Sequence, residues 1–235
     1  MLIGYINEIA ELTGTFGLPE IPPPPEPVEC DYYYDIYGCD KTLMEDMTEK
    51  KGITGLSVNG TYYAFTQKLS FDGSHYIDSG VVPTVETVVE IDHQMNDTAN
   101  AWVFGSRKAS NQNAFSLNVN MARTAYYPRI GSNSNYSFTV ANERHQIVMS
   151  KSGINVDGEL KKEFSGVTIT TDLNLYIGAL NQAGTVTGAA NTDIYTMKIY
   201  DSGNLLRYYV PCISDENSRG LFDLVNYVFY PLLSL

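Results

Sequence analysis

The chain has 235 residues, with 15 Lys and Arg against 27 Asp and Glu, and a formal net charge of −12. That balance excludes a nucleic-acid binder, which needs clustered cations to neutralise phosphates. No run of about 18 apolar residues exists, which excludes a membrane-spanning helix, while 43% apolar residues suffice to bury a core.

The acidity is uneven. Residues 1–60 hold 11 acids and 3 bases, whereas residues 61–235 hold 16 and 12. The start lacks a basic n-region and a long apolar stretch, so no secretory signal is expected. Leu2, Ile3, Ile6, Ile9 and Ala10 recur at helical spacing, and the spacing predicts one short amphipathic helix over 2–12. A helix of that length is marginal alone, so its apolar stripe calls for a partner. Pro22 to Pro25 then impose an extended polyproline segment rising about 3.1 Å per residue, a semi-rigid spacer. Residues 1–29 therefore read as an anchoring arm, with Leu2, Ile3, Ile6 and Ile9 as its contact stripe.

Residues 30–54 form a connector. Tyr32, Tyr33, Tyr34 and Tyr37 lie between Cys30 and Cys39, and Asp40 to Met47 reads as a short helix capped by Asp40. The tyrosines suit either a docking surface or packing onto the following domain. Both a Cys30–Cys39 bridge and three free thiols are compatible with the spacing. No CxxC pair is present, so a zinc site is not expected, and Cys212 reads as a small buried residue.

From about residue 55 to 235 the pattern is that of strands. Val85, Val89, Ile91 and Met95 share one face of a strand, opposite Glu86, Glu90, Asp92 and Gln94. Phe115, Leu117, Val119 and Met121 alternate likewise with Ser116, Asn118 and Asn120. Further strands are predicted at Trp102–Ser106, Tyr136–Val140, Arg144–Ser150, Ile154–Val156, Glu159–Phe164, Leu173–Ile177, Ile194–Tyr200 and Leu205–Val210. Asp157-Gly158 and Asp72-Gly73 are predicted tight hairpin turns. Many short strands, each polar on one face, imply an all-β fold of two packed antiparallel sheets, a jelly-roll sandwich.

Three segments carry a resemblance. They are Leu69 to Gly80, then Val103-Phe104-Gly105-Ser106-Arg107, and then Ile194 to Asp201 followed by Tyr209 to Cys212 and Gly220-Leu221-Phe222-Asp223-Leu224-Val225-Asn226 with Phe229-Tyr230. Over residues 68–231 they resemble the concanavalin A-like (laminin G-like) jelly rolls of bacteriophage and prophage virion structural proteins. The resemblance implies a virion protein, displayed on the particle and assembled in a bacterial cytoplasm. The arm would bind other virion proteins, and the jelly roll would adhere weakly to cell-surface or mucus glycans. A homo-oligomer is compatible with this role, although no coiled-coil heptad enforces one. A bacterial carbohydrate-binding module is the alternative.

The same fold class hosts enzymes, so chemistry is weighed by residue. Glu90-Ile91-Asp92-His93-Gln94 resembles the Glu-x-Asp-x-Glu strand of family 16 glycoside hydrolases. Position 94, which should supply the acid/base, is Gln, and an amide cannot protonate a leaving oxygen. No catalytic residue, metal site or cofactor is therefore expected. The laminin G-like resemblance leaves room for one ion, calcium, at the scattered acids Asp78, Asp97, Asp193 and Asp201, without a dense acidic run. His75, His93 and His145 have no ligand spacing. Glycan sites combine aromatic faces with planar amides, which singles out Asn111, Asn113, Tyr126, Tyr127 and Asn181, while Trp102, beside Phe104, reads as core.

Overall fold

A computed structural model describes residues 55–96, 101–109, 113–120, 125–132, 136–139 and 141–235. The arm residues Leu2, Ile3, Ile6 and Ile9, the polyproline spacer, the tyrosine cluster, the helix expected over Asp40–Met47, Cys30 and Cys39 all lie outside the described residues. So does Asn111.

The described residues contain no helix and form two sheets. The first runs, in spatial order, β1 (Gly55–Val58), β2 (Thr61–Phe65), β17 (Asn204–Ser214), β16 (Asn191–Asp201), β5 (Val88–Met95), β10 (His145–Ser150), β11 (Gly153–Val156) and β12 (Glu159–Glu163). On it, β3 (Leu69–Asp72) pairs with β16, while β18 (Arg219–Asp223) and β19 (Val228–Pro231) extend from β17. The second runs β20 (Leu233–Ser234), β4 (His75–Asp78), β13 (Tyr176–Ile177), β6 (Ala101–Arg107), β7 (Ala114–Val119), β8 (Ala125–Gly131) and β9 (Phe138–Thr139). A hairpin of β14 (Leu180–Gln182) and β15 (Thr185–Thr187) is attached to β6. Every pairing is antiparallel except β14 with β6.

The core lies between the sheets. Val89, Ile91, Met197 and Ile199 of the first face Val103, Phe104, Leu117 and Ile177 of the second, and all are buried. The expected apolar face of β5 is present in Val89, Ile91 and Met95. Val85 precedes the strand, because Thr84 to Thr87 forms a turn closed by Thr87 N–H to Thr84 O at 3.2 Å. Trp102 is not core, contrary to expectation. Its pairing partner is Asn118, and the strand alternation puts both on the outer face of the second sheet.

Asp157-Gly158 forms the expected two-residue hairpin loop between β11 and β12, with φ of 52° and 81°, the positive pair of a type I′ turn. The same pair recurs at Asn59-Gly60, Ala183-Gly184 and Ser202-Gly203. Asp72-Gly73 differs. The strands it joins, β3 and β4, belong to different sheets, so it is a corner and not a hairpin. Asp72 accepts the Ser74 N–H at 2.9 Å and so shapes this corner.

The closing Gly-Leu-Phe-Asp-Leu-Val-Asn segment has a physical cause. The Asp223 carboxylate is fully buried and accepts the backbone N–H groups of Tyr208 and Val225, each at 3.0 Å, and Asn226 Nδ2 at 2.7 Å. Arg207 Nε lies 3.5 Å away. One carboxylate thus ties the β18–β19 turn to β17. Beside it Leu56, Tyr208, Cys212, Phe222 and Leu224 form a second apolar cluster, on the opposite face of β17 from the buried Tyr209. Cys212 is the small buried residue expected, and burial pushes its thiol up to about 12.

Replacing Asp223 by Ala leaves several buried donors and Arg207 without their acceptor. The expected loss is about 3–5 kcal/mol of stability, read as a lower urea midpoint of the full chain at unchanged slope.

Candidate functional site

Register sets out the outer face of the second sheet. Trp102 pairs with Asn118, and Asn118 with Tyr127, so an aromatic, an amide and an aromatic stand in one row across β6, β7 and β8. The next row is Gly105, Ser116 and Arg129. Beyond it is Arg107, buried at 9% exposure, whose Nε and Nη2 both donate to Gln182 Oε1 at 3.2 and 2.6 Å. Trp102, Tyr127, Arg129 and Gln182 are half-buried and form the open part of this face.

Small residues let the β14–β15 hairpin settle against β6. A Cβ on Gly105 would lie 2.6 Å from Ser116 Cβ and 2.8 Å from Leu180 Cδ1. A Cβ on Gly188, where φ is 56°, would collide with the Trp102 ring. The Arg107 guanidinium reaches over Gly105 to within 5.5 Å of the Trp102 ring centre. Trp102 Nε1, Ser116 Oγ and Thr187 Oγ1 are buried here without a hydrogen-bond partner.

Of the described residues singled out from the sequence, Tyr127 alone stands half-open on this face. Tyr126 is a correction: strand alternation turns it inward, where it is 2% exposed and its O–H donates to His93 Nε2 at 2.8 Å. Asn181 is a second, at 3% exposure. Its amide donates to Asn174 O and accepts the Gly184 N–H, holding the hairpin turn. Asn113 accepts from Thr170 N and Oγ1 at 3.3 and 3.4 Å, so its amide oxygen serves the loop. Trp102, Arg107, Arg129 and Gln182 were not singled out as binding residues. Only the register across β6, β7 and β8, which no local pattern encodes, brings them beside Tyr127.

The Glu90-x-Asp92-x-Gln94 face lies on the outside of the first sheet, and its acids have partners. Asp92 receives both Nε and Nη2 of Arg144, at 2.7 and 2.6 Å, and that guanidinium stacks 3.6 Å from the Tyr195 ring centre. Glu90 accepts from Tyr200 at 3.3 Å and lies 3.9 Å from Lys198 Nζ. The other acids are dispersed. Asp193 binds Lys68 and Ser70, Asp78 binds Gly80 N and Asn174, and Asp201 binds Thr84, Thr87 and Ser202. Asp97 lies outside the described residues. Among the described residues no group of three or more His, Cys, Asp or Glu could hold a metal ion.

A shallow cleft of about 400 Å³ lies elsewhere, lined by Thr139, Ala141, Glu143, His145, Val156, Asp157 and Lys161. Its polar centre is committed. His145 Nδ1 faces Asp157 at 2.7 Å and its Nε2 faces Ala141 O at 2.9 Å, while the other Asp157 oxygen takes the Gln146 N–H. Burial would raise the Asp157 carboxyl, but His145 and the Gln146 N–H outweigh it and hold it below the usual range.

Behind the outer face, the core histidine His93 is held neutral. Thr192 Oγ1 donates to Gln94 O at 2.9 Å, so it accepts from His93 Nδ1 at 3.4 Å, which leaves Nε2 to accept from Tyr126. Burial, and then the neighbouring His145, push His93 down to about 3.

No protein-family model matches the sequence, and no curated protein matches it. Among solved structures the chain is similar to the Ruminococcus gnavus IT-sialidase CBM40, at 13% identity and a TM-score of 0.44 over 60% of this chain and 92% of that one. It is similar also to that CBM40 bound to alpha2,3 sialyllactose, at 12% identity and the same TM-score, over 60% and 91% of the two chains.

The neutral His93 carries a pH dependence. Below pH about 6.5 the unfolded chain takes up a proton here that the folded chain refuses, so stability falls with falling pH. The slope reaches about 1.4 kcal/mol per pH unit and ends near pH about 3. Urea titrations between neutral pH and about pH 4.5 should show this slope in the native chain, and it should flatten in His93→Gln.

Proposed function

We propose that the chain is a non-enzymatic adhesion module that binds glycans on the outer face of its second sheet and is presented on a virion by residues 1–54. The observation that carries the glycan part is the row of Trp102, Asn118 and Tyr127. Sugars present apolar C–H faces and rings of hydroxyls, and a half-open aromatic beside planar amides complements both. Asn118 and Gln182 supply the amides, and the flanking β14–β15 hairpin gives the face a wall.

The absence of turnover is supported by Gln94 and by the ion pairs that occupy Asp92 and Glu90. Virion display rests on the resemblance of residues 68–231 and on the arm's composition, an apolar stripe followed by a proline spacer. A secreted bacterial module would use the same face, and mass spectrometry of purified particles separates the two contexts.

Two measurements test the proposal. On a glycan array the full chain should retain a defined set of sugars, and Tyr127→Ala should weaken their binding about tenfold without lowering the melting temperature. Unchanged binding in that variant would move the site elsewhere. Deleting residues 1–29 should leave a soluble, folded domain that no longer enters particles, and incorporation of the truncated chain would remove the anchoring role.

A further inference from the structure

The described cations mostly follow one rule: a Lys or Arg taken out of water has a carboxylate beside it. Lys198, almost fully buried, lies by Glu90, and Arg207 lies by Asp223. Even the exposed Arg144 and Lys68 are paired, with Asp92 and Asp193. Arg107 breaks the rule. It is 9% exposed, and its partners among the described residues are neutral: the amide oxygen of Gln182 and the ring of Trp102. Among the described residues no carboxylate is within ion-pair distance of it.

A guanidinium keeps its charge in a protein, so burying one against neutral groups is costly. Burial and the nearby Arg129 both act against the Arg107 charge, so a second cation stands close to the first. In a chain of net charge −12, this face concentrates positive potential. The surrounding polar atoms fit the same pattern. Trp102 Nε1 can only donate, Ser116 Oγ and Thr187 Oγ1 can donate, and all three are buried without a hydrogen-bond partner. Register and contact bring them together. Ser116 is opposite Gly105, two residues before Arg107. Thr187 is opposite Leu180, whose side chain packs over Gly105. Trp102 lies under the guanidinium and against Gly188.

We propose that Arg107 is the seat for an anionic group on the glycan, a carboxylate or sulfate that enters beside Arg129 and Gln182 while the sugar ring lies toward Tyr127. This deepens the glycan-binding function proposed above and rests on it. The anion would supply the counter-charge that Arg107 lacks within its own chain, and its oxygens would accept from the guanidinium in the planar geometry that suits oxyanions. The site thereby discriminates by charge, since a neutral sugar leaves Arg107 uncompensated.

The test uses the full chain and Arg107→Gln on an array of neutral, carboxylated and sulfated glycans, together with melting temperatures in sodium acetate or sodium sulfate against sodium chloride at constant ionic strength. The retained glycans should all be acidic. Methyl-esterified oligogalacturonate should bind about tenfold or more weakly than the free acid if the group is a carboxylate, and sulfated galactan should outrank both if it is a sulfate. Acetate or sulfate should raise the melting temperature of the native chain by more than that of Arg107→Gln, since only general salt stabilisation remains in the variant, and the variant's own melting temperature should equal or exceed the native value, because an uncompensated buried charge has been removed.

Neutral glycans bound as well as acidic ones, with Arg107→Gln unaltered, overturn the anion seat and leave glycan binding standing. A chain that binds no glycan overturns the proposed function, and the anion seat then stands or falls by the melting shift alone. An equal shift in both proteins, or a marked loss of stability in Arg107→Gln, assigns Arg107 a structural role and overturns the proposal.

Discussion

The hydrogen bond from Tyr126 to His93 joins the two sheets through the core and decides which way β8 faces. A strand has a period of two, so a slip of one residue would exchange its inner and outer sets. Tyr126 is bound inside at 2.8 Å, and Tyr127 and Arg129 must then stand outside. Thr192 and Gln94 complete the chain of donors and acceptors, fixing the histidine tautomer and its ring. A polar link at such depth costs less than it would unpaired, because each member meets its partner. It also specifies one register where apolar packing alone would tolerate several.

Given that register, the outer face follows from side-chain size. The central strand β7 presents Ser116 and Asn118, while β6 and β8 present Trp102, Arg107, Tyr127 and Arg129. Small groups in the middle and long ones at the sides leave room for the β14–β15 hairpin to lean over β6. Gly105 and Gly188 permit that approach, since neither position has space for a Cβ. The first sheet solves its outer surface differently. There Arg144, Lys198 and Lys68 are each matched to an acid, giving a charge-balanced face. The two outer faces thus differ in charge compensation: one pairs its cations with acids, the other buries Arg107 against neutral groups.

Much of the fold was legible because strand period and turn chemistry are local. The alternation of Val89, Ile91 and Met95 and the Asp157-Gly158 loop needed only neighbouring residues to be read. Asp72-Gly73 was legible as a turn but not as a corner, since the destination of the next strand depends on distant partners: Asp193 and Thr192 for β3, Tyr176 and Leu233 for β4. The candidate site was legible in one residue. Tyr127 was singled out together with Tyr126, and only the choice of inner and outer face divides them. Asn181 looked like a sugar-binding amide, yet the Asn174 carbonyl and the Gly184 N–H engage it.

The amino-acid sequence by itself determined an all-β chain with many short antiparallel strands and an acidic N-terminal quarter. These follow from periodicity, charge and turn-forming residues, which act over a few positions. The tertiary structure alone decided that Trp102 stands outside, that Tyr126 is a core bond and that Arg107 is buried beside neutral groups. Those facts depend on cross-strand register and on which carboxylates fold close to which cations. Burial raises the cost of an arginine's charge, and burial is a property of the assembled sheets.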